Sequence, residues 1–242
     1  MCGRYALSKM ADELIEEFEI TAGFKGPLLP VDWNIAPTKA IYIVRKNQKS
    51  EQELATVSWG LIAPWSKDRN EAVKSQSRAI NARTESVHEK PTFKNAFRSR
   101  RCLIPATGYY EWATELGPYE TKQPFFIHHK NPDTSLAFAG IYDRWIDENG
   151  EFIESAAIIT RPAVGFLATV HHRMPTFLPQ ERISEWLDPK LTDLQQIRSL
   201  LDIADPAVNL ITDPVSKKVN QTRNNGIELS TPIKLDHEAT LF

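Results

Sequence analysis

The sequence predicts an α+β fold in which a largely antiparallel, barrel-like β core carries peripheral helices. Short strand-like runs crowd the middle of the chain, between residues 102 and 160, while helical periodicity is confined to stretches nearer its ends. Strict alternation of strand and helix, the mark of a doubly wound parallel sheet, is missing. The 10 glycines and 16 prolines are scattered singly, with no low-complexity run and no internal repeat, so residues 1 to 242 are expected to form one domain.

Ser8 is of the type that caps a helix. Met10, Leu14, Ile15 and Phe18 recur behind it on one face at helical spacing, and Gly23 and Gly26 end the segment. Residues 40 to 44 and 53 to 61 read as strands bounded by turn formers. Pro91 suits the first turn of a second short helix, which buries Phe93, Ala96 and Phe97 and closes on the basic cluster Arg98, Arg100 and Arg101. Strands are predicted over residues 102 to 105, 109 to 112, 125 to 129, 136 to 145 and 152 to 160. Helices over residues 179 to 187 and 191 to 201 and a strand-bearing tail complete the chain. Cys102, within an apolar run, and Trp33, Trp59 and Trp145 are expected in the core.

Composition excludes several classes. With 41% apolar and 25% charged residues the chain can bury a core. Its longest apolar runs, such as residues 136 to 142, are far shorter than the roughly 18 residues of a membrane span. Met1-Cys2-Gly3-Arg4 leads directly into polar sequence rather than a secretory signal, so a cytoplasmic, nucleoid-associated protein is expected. Two cysteines build neither a disulfide framework nor a zinc site, and no metal or other cofactor is expected. The net charge of −2 argues against a uniformly basic nucleic-acid binder. Between residues 67 and 101, however, ten Lys and Arg stand against four Asp and Glu, which marks one region for an anion.

Cys2 carries the sharpest chemistry. Removal of Met1, expected because cysteine is small, leaves an α-amine and a thiol on one residue. These titrate near about 8 and about 8.5 in unperturbed peptides, so a usable fraction of each is nucleophilic at neutral pH. An aldehyde that condenses with the amine is then trapped by the sulfur as a five-membered thiazolidine. Gly3 allows close backbone approach, and Arg4 is expected to place a cation beside the reacting groups.

Six blocks occur in order: Met1-Cys2-Gly3-Arg4-Tyr5, Trp33-Asn34-Ile35-Ala36-Pro37-Thr38, Trp59-Gly60-Leu61-Ile62, Ile80-Asn81-Ala82-Arg83-Thr84-Glu85, Gly108-Tyr109-Tyr110-Glu111-Trp112 and His171-His172-Arg173-Met174-Pro175. Over residues 2 to about 222 the chain thereby resembles the SRAP family (SOS response-associated peptidase, the abasic-site shielding proteins). The resemblance implies one α+β domain with a barrel-like core and a basic groove for single-stranded DNA. It also implies a covalent crosslink to abasic sites, and the family name records an older proposal of peptidase activity.

Residue by residue, the resemblance makes Cys2 the nucleophile and Asn81 an amide that orients the amine and sugar oxygen. It makes Glu111 the carboxylate that shuttles protons, and His171 the group that opens the deoxyribose and takes part in reversal, with His172 beside it. On spacing alone, Glu111 reads as a glutamate at a strand end and His171 as a histidine flanking a turn. Arg4 and Arg83 correspond to phosphate contacts, Arg173 to a basic DNA-binding position after the histidine, and Trp65 and Pro37 to surfaces on which bases stack. Asn34, Trp112, Thr160 and Arg161 complete the expected DNA-binding set.

The expected partner is single-stranded DNA containing an abasic site, bound by a monomer. Two rivals remain open. A cysteine peptidase or N-terminal-nucleophile hydrolase would use Cys2, His171 and Glu111 on an acyl group, and a non-covalent single-strand binder would leave Cys2 incidental.

Overall fold

The computed structural model of the chain describes residues 2–235. The chain enters through β1 (Tyr5–Leu7), turns into α1 (Ala11–Glu17) and lays down β2 (Phe24–Lys25), β3 (Asp32–Ile35), β4 (Ala40–Lys46) and β5 (Gln52–Trp59). α2 (Arg69–Gln76), β6 (Asn81–Arg83) and α3 (Lys94–Ser99) follow. The middle is strand-rich, with β7 (Arg101–Ala106), β8 (Gly108–Trp112), β9 (Pro124–His129), β10 (Leu136–Ile146) and β11 (Phe152–Pro162). Then come α4 (Leu167–Val170), β12 (Arg173–Pro175), α5 (Gln180–Trp186), α6 (Leu194–Leu200), β13 (Leu210–Pro214) and two 3-10 turns.

Five strands close on themselves. β11, β10, β7, β4 and β5 are successive neighbours, and β5 pairs back onto β11 in parallel, Ser58 beside Ser155 and Trp59 beside Ala156. β12 and β2 extend this system, and β6 lies parallel to β11 with Asn81 opposite Ile158 and Arg83 opposite Thr160. A second sheet of five strands runs β13-β9-β8-β1-β3, all antiparallel. The α+β class and the barrel-like core therefore match the sequence expectation.

The ring is filled by apolar side chains that alternate little in burial, because the strands are covered on both faces. All six residues of β7 are buried, and Trp59, Tyr5, Tyr42, Tyr109 and Phe138 are among the largest fully buried side chains. Each buried indole N–H finds a carbonyl: Trp59 donates to Ile80 (3.0 Å), Trp186 to Cys102 (2.9 Å) and Trp145 to Ser66 (3.0 Å). Cys102 is fully buried, as expected of a core residue. Gly60 turns the chain out of β5 at φ 120°, where a Cβ would stand 2.4 Å from the Gln76 carbonyl oxygen.

Local expectations shift for identifiable reasons. α1 starts at Ala11 behind Met10, whose N–H is satisfied by the Glu13 carboxylate at 2.7 Å, while Ser8 bonds Thr107 instead of capping the helix. The helix predicted from Pro91 begins at Lys94. α2 escapes the sequence pattern because it is almost entirely polar and buries only Ala72 and Gln76. β1, β3 and β6 span three or four residues, too few for a period to register. Part of the basic excess lies inside the fold: Arg101 is buried and donates to the Trp186, Phe97 and Leu191 carbonyls, and Arg100 pairs with Asp143 at 2.9 Å.

Candidate active site

Strand pairing brings the amino-terminal segment to the centre. β1 lies between β3 and β8, and the Tyr110 N–H donates to the Arg4 carbonyl at 2.9 Å, which continues the ladder toward Cys2. Asn81, at the start of β6, reaches across from the other sheet and donates its side-chain N–H to the Cys2 carbonyl at 2.8 Å. The Asn81 Oδ1 is buried and has no hydrogen-bond partner among the described residues. Cys2 itself is fully buried, with its Sγ 4.0 Å from the Arg4 carbonyl oxygen.

β8 supplies Glu111, and the turn between α4 and β12 supplies His171. The Glu111 carboxyl is 5% exposed and its Oε2 lies 3.9 Å from the His171 Nδ1. That nitrogen accepts the Arg173 backbone N–H at 3.0 Å, and the ring stacks on His172 at 4.2 Å between centroids. Glu111 and His171 open on a cleft of about 610 Å³, lined also by Trp112, Thr114, Leu116 and Lys122. A cavity of similar size, about 620 Å³, is lined by residues such as Phe18, Leu136, Phe177 and Ile183, and holds none of the expected site residues. The expected residues Glu111 and His171 line the smaller of these two clefts.

Burial sets the protonation states. Desolvation pushes the Glu111 carboxyl up to about 7, so it exchanges a proton near neutrality. Desolvation likewise lowers His171 to about 4, leaving a neutral imidazole at pH 7. Glu111 and His171 are therefore close neighbours without forming an ion pair. Burial pushes the Cys2 thiol well up, and the Glu111 charge raises it further. The expectation that Arg4 places its cation beside the reacting groups is corrected by this geometry: the Arg4 guanidinium turns to the Asn34 Oδ1 (2.8 Å) and the Val219 carbonyl (3.0 Å), and lies 5.9 Å from the Trp112 ring.

The expected DNA-binding residues divide into a surface set and a supporting set. Arg83 is exposed, Trp65 is 55% exposed, and Arg4, Pro37, Trp112 and Arg161 are half-buried. Trp112 donates its indole N–H to Asn220 at 2.7 Å, and Arg161 donates to the Ile203 carbonyl at 3.2 Å. Asn34, Thr160 and Arg173 lie beneath the surface, which changes the work their side chains do. The Asn34 amide holds the carbonyls of Val219, Gln221 and Asn224, and Arg173 is bound by Glu85 and the Thr160 carbonyl.

Sequence reasoning passed over Glu85, although it stands inside the Asn81 block, and Lys122 and Leu116, which carry no motif. It also passed over Tyr5 and Tyr109 as neighbours of Cys2; both phenols are fully buried and pushed up, first by desolvation and next by Cys2. Among the described residues no cluster of His, Cys, Asp or Glu is placed to hold a metal ion, and no helix is long and apolar enough to cross a membrane.

Compared with known proteins, residues 1–222 match the family model described as SOS response associated peptidase (SRAP). The chain is 38% identical over 229 residues to the abasic site processing protein YoqW of Bacillus subtilis (strain 168), covering 95% of this chain and 98% of that one. It is 31% identical over 221 residues to the abasic site processing protein HMCES of Pongo abelii, covering 81% of this chain and 61% of the relative. A crystal structure of a protein from Bacteroides thetaiotaomicron superposes with a TM-score of 0.81 at 26% identity, over 96% of this chain and 100% of the other.

Proposed function

The chain belongs to the SRAP family, and on that premise we propose that it processes abasic sites in single-stranded DNA by capturing them covalently through Cys2. The reading is supported by one arrangement above all: Cys2, Asn81, Glu111 and His171 come from four distant segments and meet, with Asn81 bonded to Cys2, Cys2 beside Glu111, and Glu111 and His171 lining one cleft. The printed role of the relatives, abasic site processing, points the same way.

The chemistry proceeds from the free amine. While Met1 is attached, the Cys2 nitrogen is an amide and adds to no carbonyl, so removal of Met1 comes first. The abasic sugar is mostly a closed hemiacetal. His171, neutral at pH 7, is suited to take the proton from its C1′ hydroxyl as the ring oxygen is protonated and the aldehyde forms. The Cys2 amine adds to C1′ to give a carbinolamine, and Glu111 supplies the proton with which hydroxyl departs as water. The sulfur then adds to the resulting iminium carbon, and its proton returns to Glu111. One aldehyde and one aminothiol are consumed, one thiazolidine and one water are produced, and no redox partner or cofactor is required.

A thiol held protonated by burial suits this order, because the amine acts first and the S–H proton leaves only as the C–S bond closes. The same burial disfavours a cysteine-peptidase reading, in which the thiolate must attack an acyl carbon directly. Single strands, engaged by a monomer through Arg83, Trp65, Pro37 and Arg4, complete the proposal.

Incubating Met1-processed protein with an oligonucleotide bearing one abasic site, followed by a denaturing gel and intact mass, tests it. The expected adduct has the summed mass of protein and oligonucleotide less one water. A Met1-free chain that leaves no retained band, or a Cys2→Ala variant retained as well as the parent, overturns it.

A further inference from the structure

Arg173 is a buried cation with a large number of bonds. It is 7% exposed, and its guanidinium grips the Glu85 carboxylate with both terminal nitrogens, the Nη1–Oε1 contact being very close and Nη2–Oε2 3.0 Å. Nη2 also donates to the Thr160 carbonyl at 2.6 Å and lies 3.3 Å from the Thr160 hydroxyl. The Thr84 N–H donates to the same carbonyl at 2.9 Å, so the ends of β6, β11 and β12 meet at one oxygen.

The backbone of the same residue faces the candidate site. The Arg173 N–H donates to the His171 Nδ1 at 3.0 Å, the shorter of two contacts this nitrogen makes with Arg173, whose carbonyl oxygen lies at 3.3 Å. A neutral imidazole whose Nδ1 accepts a hydrogen bond carries its proton on Nε2. Arg173 stands opposite Pro162 in a pair flanked by the bond from the Ala163 N–H to the His172 carbonyl (3.0 Å), so its own N–H points away from β11 and is left for the His171 ring. The guanidinium ties Arg173 to the Thr160 carbonyl and to Glu85, and Glu85, four residues beyond Asn81, links the strand that holds Cys2 to the strand that follows His171.

We infer that Glu85 is a positioning residue acting through Arg173: the pair holds the Arg173 backbone N–H against the His171 Nδ1 and thereby keeps the imidazole proton on Nε2. The inference rests on the proposed function only for the use made of that proton. The tautomer itself is measurable without DNA.

The test is the ring ¹⁵N chemical shifts of His171 at pH 7.5 in the full chain, assigned against His171→Ala, together with rates of crosslink formation and reversal. The parent is expected to show the Nε2–H form. Glu85→Gln is expected to give a mixture of tautomers and to slow reversal about tenfold, and Glu85→Asp, which restores the charge, to recover both. A folded Glu85→Gln chain that keeps the Nε2–H form overturns the inference, whatever its stability. Should Glu85→Gln fail to fold, Arg173→Lys replaces the two-pronged grip by one ammonium; it is expected to mix the tautomers, and an unchanged His171 spectrum there overturns the inference equally. A parent that forms no crosslink defeats the proposed function, while the tautomer shifts still decide the positioning role.

Discussion

Asn81 donates its side-chain N–H to the carbonyl oxygen of Cys2 across 2.8 Å, so the second residue of the chain is held by a strand of the opposite sheet. The amide oxygen of Asn81 is buried and has no hydrogen-bond partner among the described residues, which leaves it an acceptor for the amine that Met1 removal creates. Asn81→Ala is expected to slow covalent capture about tenfold, the rate equivalent of about 1.4 kcal/mol for a lost hydrogen bond. Single-turnover gels measure it, and a parental rate removes Asn81 from the mechanism.

Glu111 makes stability depend on pH in an unusual direction. Its carboxyl titrates at about 7 in the folded chain, against about 4.3 in an unfolded one. Between those values the folded chain binds more protons than the unfolded chain, so stability falls as pH rises through this window and stays lower above it. Glu111→Gln removes the cost. The variant is expected to gain on the order of 3 kcal/mol over the parent on going from pH 4 to pH 8. Urea melts at the two pH values give the difference, and equal shifts refute the buried-charge account. The same variant is expected to slow crosslinking.

His171 is neutral through the physiological range, because burial lowers it to about 4. Its contribution to crosslink reversal is therefore expected to show no step near pH 6.5, and His171→Ala is expected to slow reversal at every pH from 5.5 to 8. A step near 6.5 that vanishes in His171→Ala contradicts the assignment.

Arg83 is exposed at the end of β6, the strand whose first residue holds Cys2. Arg83→Ala is expected to weaken binding to an intact single strand and to reduce the slope of log affinity against log salt by about 0.7, one counterion's worth for a single strand. Titrations at three salt concentrations measure it, and an unaltered slope places the phosphate elsewhere.

Gly60 offers a test of the fold alone. A Cβ there meets the Gln76 carbonyl at 2.4 Å on a backbone of φ 120°. Gly60→Ala is expected to lose roughly 2–3 kcal/mol, since both the clash and the conformation oppose a side chain. Denaturant midpoints read the loss.

The long strands and the last two helices were legible in the sequence because their periods run over enough residues to register, as in β10 and β11 with 11 residues each. Ser8 misled because a hydroxyl is as well satisfied by Thr107 across the fold as by its own helix. The four expected catalytic residues were legible through the blocks that carry them, and the structure brings them together. Their electrostatics were not legible: Cys2 sits beside Glu111 rather than an arginine, and that pairing is created by strand order. Likewise nothing in the spacing of Arg173 distinguished a DNA-binding position from a partner of Glu85, because that distinction depends on which side of β12 faces inward.

The seam where β5 meets β11 sets Ser58 beside Ser155, residues separated by much of the chain. Contacts of such span are slow to form, since the intervening polypeptide must surrender its freedom before they reward it. Asn81 reaches Cys2 because β6 rides on β11 next to that junction. A half-synthesised or partly melted molecule thus lacks the β11 strand on which β6 rides, and its second residue is not yet clasped by Asn81.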